Sequence, residues 1–474
     1  AAPRRGRHHD AAAQLVAGQL CIGDRLNADG VASAAEPAEP AEQRASLRAD
    51  ARELATTQRD IARDARWIRR RFVRPPLSRP LERLRRQLVG TNQVEAKNPK
   101  ATEWFLDNYY LLRRIARQVE EELPPGFLHR LPRLREPSTR GRPRVDQLAR
   151  AIVVHTELVL GFATLRSFID AYQEVEALTI AELWALPTML RTAALERLLS
   201  SFDALGVSFD DADRRDFQLQ GGRGSTESSS ATPTDPEVGV ERAIHALRVL
   251  DAIDWKIFFE KSSRVEAILR TDPAGVYGRM EFETSDSYRK AVELLAWGTG
   301  RTEAEVATHV VELAAETPDD ARLGHVGYHL VAEGRPALEQ RLGYRAAGLE
   351  WLRSTLLRWP TLSFLLPLTL LTWLPPSLVA WRVGVSSQGS LSELAPIALA
   401  LFVALVPLST AALTLLHFVF ARILSPRTLP KLDFEAGLPA EARTLIVIPT
   451  LLGRPDDVAT MLRQVELHYL ANPD

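Results

Sequence analysis

Asp211-Ala212-Asp213 has the spacing of two carboxylates that could share a divalent cation, but no strand precedes it to fix the pair at a sheet edge, so it reads as a loop. His8-His9-Asp10 offers further ligand types, yet adjacent side chains in a flexible tail rarely converge on one ion. Gly221-Gly222-Arg223-Gly224 follows no strand and is closed by no Lys-Ser/Thr pair, so it is no phosphate loop. His155 stands among apolar neighbours and is expected to be a hydrogen-bonded core histidine rather than a catalytic one. Cys21 is the only cysteine, which rules out an intramolecular disulfide and a thiolate metal cluster. A soluble enzyme built on a nucleophile, a metal cluster or a phosphate loop is thereby excluded.

The elements that would position such residues follow from length and pattern. A chain of 474 residues allows about three domains, and 46% apolar with 25% charged residues excludes global disorder and an all-membrane protein. Lys+Arg of 59 against Asp+Glu of 60 gives no basic field, so no nucleic acid partner is expected. Residues 1–46, with an Ala-Glu-Pro repeat around Glu36–Pro40, read as a disordered tail. Residues 47–217 read as a helical region: Leu54, Ile61, Ala65 and Ile68 form one narrow stripe, Trp104, Phe105, Tyr109, Leu112 and Ile115 another, and Thr179 with Glu182 is a capping box. Arg66, Arg69, Arg70, Arg71 and Arg74 form a basic run, read as a solvated helix face. Residues 218–238, rich in Gly and Ser with Pro233 and Pro236, read as a flexible linker before a second helical region at 239–350.

Trp359–Trp381 is a run of 23 residues without a charge, and Leu394–Ala421 is a run of 28. A bilayer core of about 30 Å needs roughly 20 apolar helical residues, so both are expected to span. Their prolines are tolerated where neighbouring helices satisfy the freed carbonyls, and Trp359, Trp373 and Trp381 sit as interfacial anchors do. Arg353 and Arg358 before the first run, and Arg422, Arg427 and Lys431 after the second, place both long flanks in the cytoplasm and the Gly384–Ser392 loop outside. Residues 1–20 lack the unbroken apolar core of a signal peptide.

After an extended, proline-bounded connector at Leu429–Pro439, Thr444-Leu445-Ile446-Val447-Ile448 reads as a strand buried on both faces. Asp456-Asp457 then open an amphipathic helix carrying Val458, Met461, Leu462, Val465 and Leu467. Strand, loop and helix are half a βαβ unit, and the sequence stops at Asp474 before a second strand, which predicts a truncated domain over 440–474.

Several stretches carry a family resemblance: LLRRIARQVEEELPPGFLHRLPRL at 111–134, FIDAYQEVEALTIAELWALPTMLRTAALERL at 168–198, and the run from Arg248 to Glu293. GHVGYHLVAEGRPALEQRLGYR at 324–345 and RTLIVIPTLLGRPDDVATMLRQVELHYLANPD at 443–474 belong with them. Together with the paired apolar runs, they make the chain resemble the N-terminal portion of cyclic β-1,2-glucan synthases over roughly 100–474, the Ser/Gly linker being a departure.

The resemblance implies a mainly α chain: a cytoplasmic helical region, a two-helix transmembrane hairpin and the first β-α element of a truncated α/β nucleotide-sugar transferase domain. It further implies a multi-pass protein of the bacterial inner membrane whose full-length form polymerises glucose from UDP-glucose into β-1,2-glucan. A divalent metal (Mg or Mn) is expected for that full-length enzyme, and no cofactor in this stretch. Its catalytic carboxylates and chain-holding motif would lie beyond Asp474, so no catalytic residue is assigned and the stretch alone is expected to be inactive. In such transferases the loop after the first strand lies against the uridine, which makes Pro449 and Thr450 the candidate substrate-binding residues. The other reading from the residues is a membrane-anchored helical scaffold that binds partner proteins or the membrane surface.

Overall fold

A computed structural model describes residues 41–62, 76–90, 98–128, 130–135, 142–210, 235–318, 320, 322–346, 348–386, 391–424, 429–435, 437, 439–442 and 454–471. The chain divides into two compact units, Ala1–Ser262 and Ser263–Asp474, and is mainly helical.

In the first unit the elements run α1 (Ala41–Thr57), β1 (Ile61–Ala62), α2 (Ser78–Gly90), α3 (Pro99–Asp107), α4 (Tyr109–Glu122), α5 (Pro125–Leu128) and β2 (Arg133–Leu134). They continue with α6 (Arg144–His155), α7 (Phe162–Val175), α8 (Ile180–Ala204), α9 (Pro236–Ala252) and α10 (Trp255–Ser262). The axis is α8, whose Leu183, Leu186, Leu190, Leu195, Leu198 and Phe202 are buried on every side of the helix. A helix apolar all round must be enclosed, and α4, α6, α9 and α10 enclose it. It starts where the pattern predicts: the Thr179 hydroxyl accepts from the Glu182 N–H, and the Glu182 carboxylate accepts from the Thr179 N–H. Helix α1 lies along α7, held by Arg48 and Arg52, which both donate to Glu174 at 2.7 Å. Among the described residues the one ribbon is antiparallel, Ile61 opposite Leu134 and Ala62 opposite Arg133.

Three boundaries differ from those read in the sequence. Helix α1 begins at Ala41, inside the stretch read as a tail. Helix α9 begins at Pro236, inside the stretch read as a linker, because the Asp235 carboxylate accepts from the Glu237 N–H and Pro236 needs no partner at the first helical position. It then buries Val240, Ile244, Leu247 and Leu250 against α8 and α3, so the break between compact units falls after Ser262 and not at the Ser/Gly segment. The Arg66–Arg74 run, Asp211-Ala212-Asp213 and the Ser/Gly segment itself lie outside the described residues.

The second unit opens with α11 (Arg264–Leu269), a 3-10 turn at Tyr277–Arg279, α12 (Phe282–Thr299), α13 (Glu303–Ala315), α14 (Val326–Val331) and α15 (Arg335–Leu342). Val306, Ala307 and Val310 of α13 form its centre, against α11, α12 and α14. Gly300 and Gly343 take left-handed φ of 72° and 71° at the ends of α12 and α15, where a side chain would strain the stop. Then follow α16 (Gly348–Arg358), α17 (Pro360–Ser386), α18 (Leu391–Ile423), a 3-10 turn at Ala440–Ala442 and α19 (Pro455–Ala471). The strand expected at Thr444–Ile448 lies outside the described residues, and the helix expected after it is α19.

Candidate functional site

Helices α17 and α18 each hold a stretch long and apolar enough to cross a bilayer, Pro360–Arg382 and Ala398–Ile423. They run on beyond the uncharged segments, to Ser386 and from Leu391, since backbone hydrogen bonding does not stop where hydropathy does. The two pack against each other in antiparallel fashion: Phe364 near the start of α17 stacks on His417 and Phe420 near the end of α18, each at 6.0 Å. Deeper in, Thr369, Thr372, Ser409 and Thr410 line a notch of about 340 Å³. The hydroxyls of Thr369, Ser409 and Thr410 donate to the carbonyls of Leu365, Val406 and Val406 at 2.9, 2.8 and 3.1 Å, which satisfies them within their own helices. Outward, Leu366, Leu370, Trp373, Leu378, Phe402, Val406 and Phe418 are exposed. A soluble fold would bury such a surface; a bilayer would cover it.

Among the described residues, the chain before this hairpin contacts both the hairpin's last residue and the chain beyond it. Arg353 of α16 donates through Nε to the Ile423 carbonyl at 2.7 Å, a cation on the negative C-terminal end of α18. Farther along, Met280 and Leu432 form an antiparallel bridge. There the Glu281 N–H donates to the Lys431 carbonyl at 3.1 Å and the Asp433 N–H to the Arg279 carbonyl at 2.8 Å. The connector read as extended therefore pairs with a segment about 150 residues upstream, on the near side of both apolar helices.

Several titratable groups of the second unit converge in one network. Asp272, fully buried, accepts through Oδ2 from the Val276 and Tyr277 amides at 3.1 Å each and from His325 Nδ1 at 2.8 Å, and through Oδ1 from the Val326 amide at 3.0 Å. With the Asp272 carboxylate as acceptor, the hydrogen between it and His325 sits on the ring Nδ1. Burial opposes the charge, but the His325 ring and the backbone amides outweigh it and hold the carboxyl below its ordinary range. The other ring nitrogen faces the Tyr288 hydroxyl at 3.4 Å. Burial, then the Asp272 charge, push that phenol up to about 12, so it stays protonated. Next to it Glu266 accepts from Arg289 at 2.8 Å, the Tyr277 hydroxyl at 2.7 Å and Arg270 at 2.8 Å. Acid, imidazole and phenol in a row could relay a proton, yet Asp272 is fully bonded and Tyr288 is 2% exposed, so the row holds backbone in place.

The first unit has a similar network: Arg144 with Glu182 and Glu176, and Arg142 and Arg150 with Asp146, Arg150 also pairing Glu196. Burial pushes the Glu196 carboxyl up even beside Arg150, whereas Arg150 and Arg142 overcome burial at Asp146 and hold its carboxyl down. His155, expected in the core, is instead at the rim, with Nδ1 3.1 Å from Asp50 of α1 and its side chain 35% exposed. It lies in the last turn of α6, where the apolar packing of Ile152 and Val153 has ended. Among the described residues no group of three or more His, Cys, Asp or Glu could hold a metal ion. Pro449 and Thr450, the candidate substrate-binding residues, lie outside the described residues.

No family model matches the chain. Over 455 aligned residues it is 28% identical to cyclic beta-(1,2)-glucan synthase NdvB of Rhizobium meliloti, an alignment covering 82% of this chain. The chain resembles part of a cyclic β-1,2-glucan synthase. It spans 16% of the length of that glucan synthase, consistent with an N-terminal portion.

Proposed function

We propose that this chain is the N-terminal part of a membrane-bound glucan-synthesising glycosyltransferase, and that it anchors and positions a transferase domain completed by further sequence. In the complete protein, glucose would pass from UDP-glucose to a growing β-1,2-glucan at the inner membrane of a bacterium. The observation that carries the reading is the similarity to a glucan synthase over 82% of the chain, beside two helices long and apolar enough to span a bilayer. Among the described residues no group of three or more His, Cys, Asp or Glu could hold the metal expected for such a transferase. Pro449 and Thr450 would lie against the nucleotide, at the carboxyl end of the strand expected over Thr444–Ile448, where open α/β sheets bind ligands.

The test compares three preparations supplied with labelled UDP-glucose in membranes. The chain extended by its continuation should bind the nucleotide sugar and form β-1,2-linked glucan, and the chain alone should do neither. In the extended protein Thr450→Val should weaken binding about two- to twelve-fold, the value of one hydrogen bond of about 0.5 to 1.5 kcal/mol, with thermal stability unchanged. Glucan made by the chain alone would overturn the reading.

The hairpin would cross the membrane with both long flanks in the cytoplasm. The Arg353 contact with Ile423 and the bridge between Met280 and Leu432 support it, since each needs the two flanks on one side. With Cys21→Ser as background, a cysteine at Ser387 should react with an impermeant thiol reagent in intact cells, and one at Ser230 only after lysis. Reaction of both from the same side ends the topology.

A further inference from the structure

The backbone around Met280 is extended, with φ −86° and ψ 148°, where the 3-10 turn Tyr277–Arg279 ends and α12 has not begun. The Met280 N–H donates to the Tyr277 carbonyl and the Glu281 carbonyl accepts from the Thr284 and Ser285 amides, which leaves the Glu281 N–H and the Arg279 carbonyl as a short edge of the kind that recruits another strand. Lys431–Asp433 fills it. Besides the two backbone bonds, the Lys431 N–H donates to the hydroxyl of Thr284, itself 8% exposed, at 3.0 Å, and Lys431 Nζ stands 3.7 Å from Glu281. Just before the strap, Pro430 pushes Leu429 toward extended backbone. The strap pairs with the residues just before α12, and in the chain it lies between the second apolar helix and α19.

We infer that the Met280–Thr284 edge is a docking edge for the chain emerging from α18, so that whatever follows the strap is carried on the second unit instead of swinging from a free linker. The helical region thereby acts as a membrane-proximal mount, with Lys431–Asp433 as its clip. Side-chain chemistry contributes one hydroxyl and one ion pair; the rest of the recognition is backbone, which makes the edge selective for an extended segment with a lysine opposite Glu281. The inference leans on the two flanks sharing one side of the membrane, which labelling at Ser387 decides separately.

The register supplies the test. The bonds from Glu281 to Lys431 and from Asp433 to Arg279 flank the Met280–Leu432 pair, which makes it a non-hydrogen-bonded antiparallel pair. Such pairs place Cα atoms about 4.5 Å apart with side chains on one face, within disulfide range. In the full chain with Cys21→Ser, Met280→Cys/Leu432→Cys should form a disulfide under mild oxidation, read as a faster-migrating band that reduction abolishes. Met280→Cys/Phe434→Cys, displaced by two residues to about 7–8 Å, should not. Independently, Thr284→Val with Lys431→Glu should raise proteolysis of the connector about tenfold, the effect of losing one or two bonds of ordinary strength. No disulfide in the first pair, or equal oxidation of both pairs, would overturn the docking edge. A disulfide that forms while Ser387 and Ser230 label from one side would leave the edge intact and reject the membrane reading.

Discussion

Glu182→Ala should destabilise the first unit by about 3 to 5 kcal/mol, the usual cost of breaking a buried ion pair and stranding its partner. The side chains of Arg144 and Glu182 are both fully buried. Arg144 donates to the two carboxylate oxygens through Nε at 2.7 Å and Nη2 at 2.5 Å, a fork that fixes α6 on the first turn of α8. Burial opposes the guanidinium charge, but the Glu182 carboxylate outweighs it, so Arg144 remains a cation in the folded unit. Without Glu182 the guanidinium keeps the Ala177 carbonyl at 2.9 Å and Glu176 at 3.2 Å, and Glu176 is itself partly in water. The capping box goes too, at about 1 kcal/mol. The companion Arg144→Met/Glu182→Leu removes both charges and should recover most of the loss except the cap. Hydrogen exchange of the α8 amides in the detergent-solubilised chain measures both, and a cost under about 1 kcal/mol for Glu182→Ala would show that the pair is not buried as described.

The two ends of this ion pair were not equally readable in the sequence. Thr179 and Glu182 are three residues apart, and a cap is a local affair of hydrogen-bond geometry, so spacing alone identified it. Arg144 meets Glu182 from 38 residues away, through packing that no local pattern encodes. His155 was misjudged for the same reason: Ile152 and Val153 beside it are buried, but the sequence does not reveal that α1 brings Asp50 to the end of α6. The apolar hairpin was the most readable feature, because absence of charge over a bilayer's width is a one-dimensional property. The docking edge was unreadable, since its partners are backbone groups and a single bridge has no side-chain alternation to announce it. Helix α19 carries the expected apolar residues, of which Val458 and Met461 are half-buried and Leu462, Val465 and Leu467 are exposed. A helix with an apolar face gains its stability by packing on a sheet or another helix.

Asp272 carries the largest consequence in the second unit. Three backbone N–H groups and one imidazole converge on its carboxylate, and they come from two segments, 276–277 and 325–326, that no other acceptor of this kind joins to one point among the described residues. Asp272→Ala leaves those amides buried without an acceptor, each at about 1 to 3 kcal/mol, so a loss of about 3 to 5 kcal/mol is expected. Asp272→Asn is the more informative variant. It keeps one oxygen, now a neutral carbonyl, puts an amide NH₂ in place of the other, and cannot titrate. The folded carboxyl lies below its ordinary value, near 3.9 in an unfolded chain. Its contribution to stability is therefore fully present above that value and is lost as the pH falls through the lower, folded one. The gap in stability between the wild type and Asp272→Asn should close progressively as the pH falls below about 4, as the wild type becomes neutral like the variant. Exchange rates of the Val276, Tyr277 and Val326 amides report on this locally, without requiring both units to unfold together. A gap that stays the same from pH 7 to pH 3 would mean that the carboxylate charge is not what binds the two segments, and that Asp272 acts only through its shape.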